Sequence, residues 1–140
     1  MEKSIKTEIK INATPEKIWK IFSDFKNYSS WNPFIKSLTG DVAVGNKIKV
    51  VLNGMKFKPR VLEYAQNKKF VWKGNLFIPG IFDGQHQFEF ISNNDGTTTL
   101  IHSEKFSGIL SGPILKKVKE DTIKGFNDMN KALKELSEKS

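Results

Sequence analysis

Residues 82–107 read FDGQHQFEFISNNDGTTTLIHSEKFS. Two runs that alternate with period two flank Asn93-Asn94-Asp95-Gly96, the composition of a tight turn, so the stretch is a β-hairpin with strands over 82–92 and 97–107. His86, Phe88 and Phe90 share one face of the first strand, and Gln85, Gln87 and Glu89 share the other. On the second strand Leu100, His102, Glu104 and Phe106 share a face. A three-residue loop around Asn94-Asp95-Gly96 sets Phe88 across from His102 and His86 across from Glu104; a slip of one residue would break that pairing. With both faces turned inward, two imidazoles and a carboxylate lie among aromatic rings, where each needs a partner.

The rest of the chain supplies what this hairpin packs against. Residues 4–12 alternate, with Ile5, Thr7, Ile9 and Ile11 on one face and Lys6, Glu8 and Lys10 on the other, a half-buried strand. Thr14-Pro15-Glu16 gives an N-cap, a first-turn proline and an early acid to a helix that carries Ile18, Ile21, Phe22 and Phe25 and ends near 24–26. Pro33 biases Asn32 toward extended dihedrals, so the stretch NYSSWNPF at 27–34 turns the chain into a strand over 35–39. Trp31 and Phe34 stand at that pivot, where they can close one end of a cavity. Strands over 46–53 and 55–65 are separated by Asn53-Gly54, a hairpin signal, and a further strand over 68–75 follows Gln66-Asn67.

Beyond Ser111-Gly112-Pro113, Leu115, Val118, Thr122, Phe126, Met129, Leu133 and Leu136 recur at steps of three and four. That is an amphipathic helix over 113–136, about six turns long. Strand, helix, successive antiparallel hairpins and a long final helix make an α+β domain whose curved sheet covers that helix. The 140 residues form one domain with room for a sizeable core.

Composition narrows the function classes. The chain has no Cys, which removes disulfides, thiolate nucleophiles and Cys-ligated zinc. MEKSIKTEIKIN at 1–12 has no apolar core of a signal peptide, and no run reaches membrane-spanning length, so a cytoplasmic protein without stable membrane insertion is expected. Twenty-three Lys and Arg against 15 Asp and Glu give a net charge of +8. Lys47 and Lys49, and Lys56, Lys58 and Arg60, alternate with apolar residues and so lie on the wet faces of strands. No aromatics share those faces to stack on bases, so no nucleic-acid partner is expected. The apolar segment 77–82, FIPGIF, falls where a polar connection is expected, and Phe77, Ile78, Pro79, Ile81 and Phe82 read as the rim of a cavity entrance.

Five segments together, ATPEKIWKIFSDFKNYSSWNPF, FVWKG, GIFDGQHQFEF, GTTTLIHSEKFSGIL and GFNDMNKALKE, resemble the START-like (SRPBCC) superfamily and within it the polyketide cyclase/dehydrase-type branch. The resemblance spans nearly the whole chain and implies a helix-grip fold: a curved antiparallel sheet around the long C-terminal helix, with an internal hydrophobic cavity. Members carry or modify lipids, sterols and polyketides. Carried onto this sequence, the resemblance implies that Trp31, Trp72, His86, Phe88, Glu104, Phe106, Phe126 and Met129 face the cavity. Phe34 at the pivot, and Phe90 and His102 on the inward strand faces, complete the expected lining.

The residues favour some chemistries over others. No Gly-x-Ser-x-Gly and no Ser-His-acid series supports a nucleophile, and no glycine loop precedes a helix to cradle phosphate. His86, His102 and Glu104 have the donor types of a facial metal triad, but the resembled family does not use that set, and neither metal nor cofactor is expected. His86 and Glu104 are candidate acid–base partners for cyclisation or dehydration of a polyketide-like molecule. The same pair can instead anchor the polar end of a hydrophobic ligand without turnover, which is the favoured expectation. A third alternative is a protein-docking domain like the START-type activator of a chaperone ATPase, using the positive charge and 77–82; nothing in the sequence identifies such a partner.

Overall fold

The computed structural model describes residues 3–52, 54–76 and 78–139. Strand β1 (Lys3–Ile11) leads into α1 (Pro15–Phe22), whose N-cap Thr14 accepts a hydrogen bond from the Lys17 backbone N–H. A single 3₁₀ turn at Phe25–Asn27 and the short α2 (Tyr28–Trp31) follow. Then come β2 (Ile35–Thr39), β3 (Lys49–Leu52), β4 (Met55–Phe57), β5 (Arg60–Ala65), β6 (Lys69–Leu76), β7 (Phe82–Ser92), β8 (Thr98–Ser107) and the final helix α3 (Ser111–Lys139).

The larger sheet is antiparallel and curved, in the order β1-β8-β7-β6-β5, and α3 packs across its inner face against β1, β8 and β7. This is the helix-grip arrangement of an α+β chain. α3 has 29 residues, so it extends for about 43 Å at the usual helical rise. Its buried positions, Ser111, Leu115, Phe126, Met129, Asn130, Leu133 and Ser137, follow the three-and-four spacing. The β7–β8 register sets His86 opposite Glu104 and Phe88 opposite His102. Asn93 N–H bonds Thr97 C=O at 2.9 Å, and Gly96 takes φ +85°, which closes the three-residue loop.

One expected strand is divided. The run 55–65 does not continue as a single strand: β4 belongs to a second sheet, β2-β3-β4, and β5 to the edge of the large one. Pro59 lies at the break, with no N–H to donate and with an extended bias on Lys58 before it. Asn53 of the expected Asn53-Gly54 turn lies outside the described residues, while Leu52 and Met55 pair on either side of it.

The core is strongly aromatic at one end. Phe22 of α1 has its ring 4.9 to 6.5 Å from those of Trp19, Phe25, Tyr28, Phe70, Phe88 and Phe90, mostly edge to face. The Tyr28 hydroxyl donates to the Phe22 carbonyl and ties α2 beneath α1. Among the described residues no helix is long and apolar enough to cross a membrane.

Candidate functional site

The aromatic cluster fills the space under α1 but not the space under the N-terminal half of α3. There a cavity of about 700 Å³ opens between the two sheets and the helix. β3 and β4 contribute Val50, Leu52, Met55 and Phe57; the large sheet contributes Trp72, Phe82, His86, Glu104 and Phe106; α3 contributes Ile114, Val118 and Thr122. Two glycines shape it. A Cβ at Gly84 would occupy the place of the Glu104 carboxylate, which folds down onto the sheet there. A Cβ at Gly125 would meet the Phe34 ring, so the bare helix backbone lets Phe34 close the inner end of the cavity.

Behind this wall runs a chain of polar contacts through otherwise apolar core. The Glu104 carboxylate lies 3.3 Å from His86 Nδ1. His86 Nε2 lies 2.7 Å from His102 Nε2, and His102 Nδ1 lies 2.8 Å from Asn130 Oδ1 on α3. Asn130 Nδ2 donates to Thr7 Oγ1 at 2.8 Å, and Thr7 Oγ1 donates to the His102 carbonyl at 2.9 Å. His86, His102 and Asn130 are buried. Burial pushes the His102 imidazole well below its ordinary range, and neighbouring His86 adds to this against the pull of Asn130 and the Phe126 backbone.

These contacts assign the protons. The Thr7 hydroxyl gives its hydrogen to the His102 carbonyl, so its oxygen accepts from Asn130, and Asn130 turns Oδ1 toward His102. His102 therefore carries its proton on Nδ1 and, being neutral, offers a lone pair at Nε2. His86 must donate from Nε2 to fill it. The remaining nitrogen, His86 Nδ1, faces the Glu104 carboxylate. Trp72 and Phe34 both stack on this imidazole, with ring centroids 4.8 and 6.2 Å away.

The structure brings together some of the sequence-predicted residues and separates others. Phe34, Trp72, Phe82, His86, Glu104 and Phe106 lie on the cavity wall. Phe88, Phe90, His102, Phe126 and Met129 are buried in the core behind it and are not on the wall. Trp31 is half-buried, packs on Tyr28 at 5.3 Å and is likewise off the wall. Ile78 and Pro79 are exposed and Ile81 is half-buried in the turn before β7, and Phe82 alone of the described rim residues reaches the cavity, stacked on Phe106. Phe77 lies outside the described residues.

Sequence reasoning missed Asn130 and Thr7, which orient the imidazoles, and the close approaches at Gly84 and Gly125. The two His Nε2 atoms bond each other rather than converge on a common point, and among the described residues no group of three or more His, Cys, Asp or Glu is placed to hold a metal.

The family described as polyketide cyclase/dehydrase and lipid transport matches residues 2–139. No curated protein matches the chain. Among solved structures, a hypothetical protein from Helicobacter pylori superposes with a TM-score of 0.81 at 12% identity, over 96% of this chain and 88% of that one. A START superfamily protein from Mycobacterium smegmatis gives 0.71 at 21% identity, over 97% of each chain. Norcoclaurine synthase from Thalictrum flavum, solved with dopamine and hydroxybenzaldehyde, gives 0.72 at 14% identity, over 97% of this chain and 86% of that one. At such identities the likeness is one of fold.

Proposed function

We propose, from the premise that the chain belongs to the polyketide cyclase/dehydrase and lipid transport family, that it reversibly binds a lipophilic small molecule in its cavity. The polar end of that molecule rests against Glu104 and His86. The observation that carries this reading is a cavity of about 700 Å³ with mainly aliphatic and aromatic walls and, on the sheet side, the His86–Glu104 pair 3.3 Å apart. Such walls favour apolar ligand surface by roughly 25 cal/mol per Å² before ordering costs, and a few placed polar groups orient what enters.

Native mass spectrometry of freshly purified protein, followed by solvent extraction, tests the reading. A stoichiometric adduct, or thermal stabilisation by members of a panel of fatty alcohols, sterols and aromatic polyketides, is expected. The absence of both effects across the panel would count against a carrier.

A second reading has its own support. The chain from Thr7 through Asn130 and His102 fixes the tautomer of His86 more firmly than a passive anchor requires, and it suits a proton-transfer role in cyclisation or dehydration. Under that reading a bound molecule emerges chemically altered, and His86→Ala keeps binding while abolishing the change. A ligand that always leaves intact favours the carrier.

A further inference from the structure

We infer that the end of the domain formed by the turns before β7 and before α3 docks peripherally, without spanning, on a membrane surface that bears anionic lipid. This goes beyond ligand binding, because it concerns an outer surface and not the cavity. Among the described residues seven large apolar side chains are exposed, and three of them lie on these two turns: Ile78 at 64%, Ile109 at 77% and Leu110 at 43%. The turns are bonded to each other. The Ile109 N–H donates to the Gly80 carbonyl at 3.0 Å, and the Leu110 N–H donates to the Ile81 carbonyl at 2.9 Å. Gly108, at φ +108°, permits this approach, since a Cβ there would strike the Ile81 carbonyl. The three apolar side chains are thus carried on one joined platform, and clustered exposure of this kind marks a contact surface.

The charge next to the platform names the partner. Lys105, Lys116, Lys117 and Lys119 are exposed, and residues 105–119 contain no Asp or Glu. Lys3 lies beside Gly112 in the first turn of α3, a turn with no acid of its own. Asp83 accepts from the Gly80 N–H at 3.1 Å and Glu104 faces His86, while Glu120 and Asp121 come only after about two and a half turns of α3. Apolar tips beside a band of unopposed lysines match a bilayer surface, with its acyl boundary beneath anionic headgroups. The same lysines repel a second copy of this chain, whose net charge is +8. Phe82 and Ile114, a few residues past the two turns, line the cavity, so its wall begins where the platform ends.

The test is co-sedimentation of the full chain with vesicles of phosphatidylcholine alone and with vesicles in which about one third of the lipid is phosphatidylglycerol. The anionic vesicles are expected to bind at least about tenfold more tightly, with binding weakened by added salt. Ile78→Ser with Ile109→Ser should lower that binding about tenfold, and so should Lys116→Gln with Lys117→Gln. All four side chains are exposed, and thermal unfolding should show these variants folded. Lys47→Ser with Lys49→Ser removes equal charge from the second sheet and should change binding by less than about threefold. Equal losses in that control and in the Lys116 and Lys117 variant, or no loss in the isoleucine variant, would reduce the effect to net charge and overturn the inference. A dimer that Ile109→Ser dissolves, without vesicle binding, would assign the platform to a second copy and overturn it too. Absence of vesicle binding overturns membrane docking and leaves the cavity reading standing.

Discussion

His86 and His102 meet nitrogen to nitrogen, with their Nε2 atoms 2.7 Å apart, so one ring must donate and the other accept. Asn130 and Thr7 settle which. Nitrogen-detected NMR of the imidazoles is expected to show His102 protonated at Nδ1 and His86 protonated at Nε2. In Asn130→Leu, which keeps the branched outline but removes the acceptor, His102 should lose its single tautomer. A His102 ring protonated at Nε2 in the wild type would contradict the assignment.

Acid should destabilise the protein through His102. Its folded-state value is pushed well below the ordinary imidazole range, while the unfolded chain titrates near 6.5. The stability it contributes is therefore complete above about pH 6.5 and is lost as pH falls from there toward the depressed folded value. Denaturant unfolding at successive pH values should show this decline, and His102→Gln should flatten it while lowering stability at neutral pH. An equal slope in the variant would locate the acid sensitivity elsewhere.

Gly125→Ala offers a contest between two effects of opposite sign. Alanine is the better helix former by about 1 kcal/mol in a helix interior. Here its Cβ runs into the Phe34 ring, which is buried against His86, His102 and Phe126. Overpacking of a filled site costs roughly 1–3 kcal/mol, so urea unfolding should find net destabilisation. A more stable variant would mean that Phe34 moves aside freely.

Tyr28→Phe should cost about 1 kcal/mol, the worth of a buried neutral hydrogen bond, here the one to the Phe22 carbonyl. Burial also raises the phenol well above its usual value, with lesser contributions from Tyr64 and Asp24. The unfolded chain ionises above about pH 10 while the folded phenol stays neutral, so wild-type stability falls as pH rises through that point. The phenylalanine variant should lose less stability there, a difference readable by alkaline denaturation.

How much of this was legible in the sequence depended on which signals agreed. The β7–β8 register was legible because turn chemistry and a buried face required the same pairing, His86 with Glu104 and Phe88 with His102. The His86–His102 contact was not, because it runs diagonally between neighbouring pairs, where side-chain directions decide. Asn130 was hidden for another reason: apolar periodicity marked Met129 and Leu133 on α3 and passed over a polar residue buried between them. Period-two alternation told which face Phe88 and Phe90 occupy but not their depth, and α1 covers that end of the sheet with Trp19 and Phe22. The break at Pro59 was available from the chemistry of proline alone, yet the alternation on either side of it read as one strand.

Under the proposed function, a lipophilic molecule occupies the space under the N-terminal half of α3 with its polar end at Glu104 and His86. The most direct measurement is an NMR titration of uniformly labelled protein with dodecan-1-ol, following backbone amides and imidazole nitrogens together. A saturable, one-to-one response is expected. It should be largest at His86, Gly84, Glu104 and the α3 residues Val118 to Gly125, and nearly absent in the Phe22 cluster. Shifts centred on the exposed Ile109 and Leu110, or a response that never saturates, would contradict it.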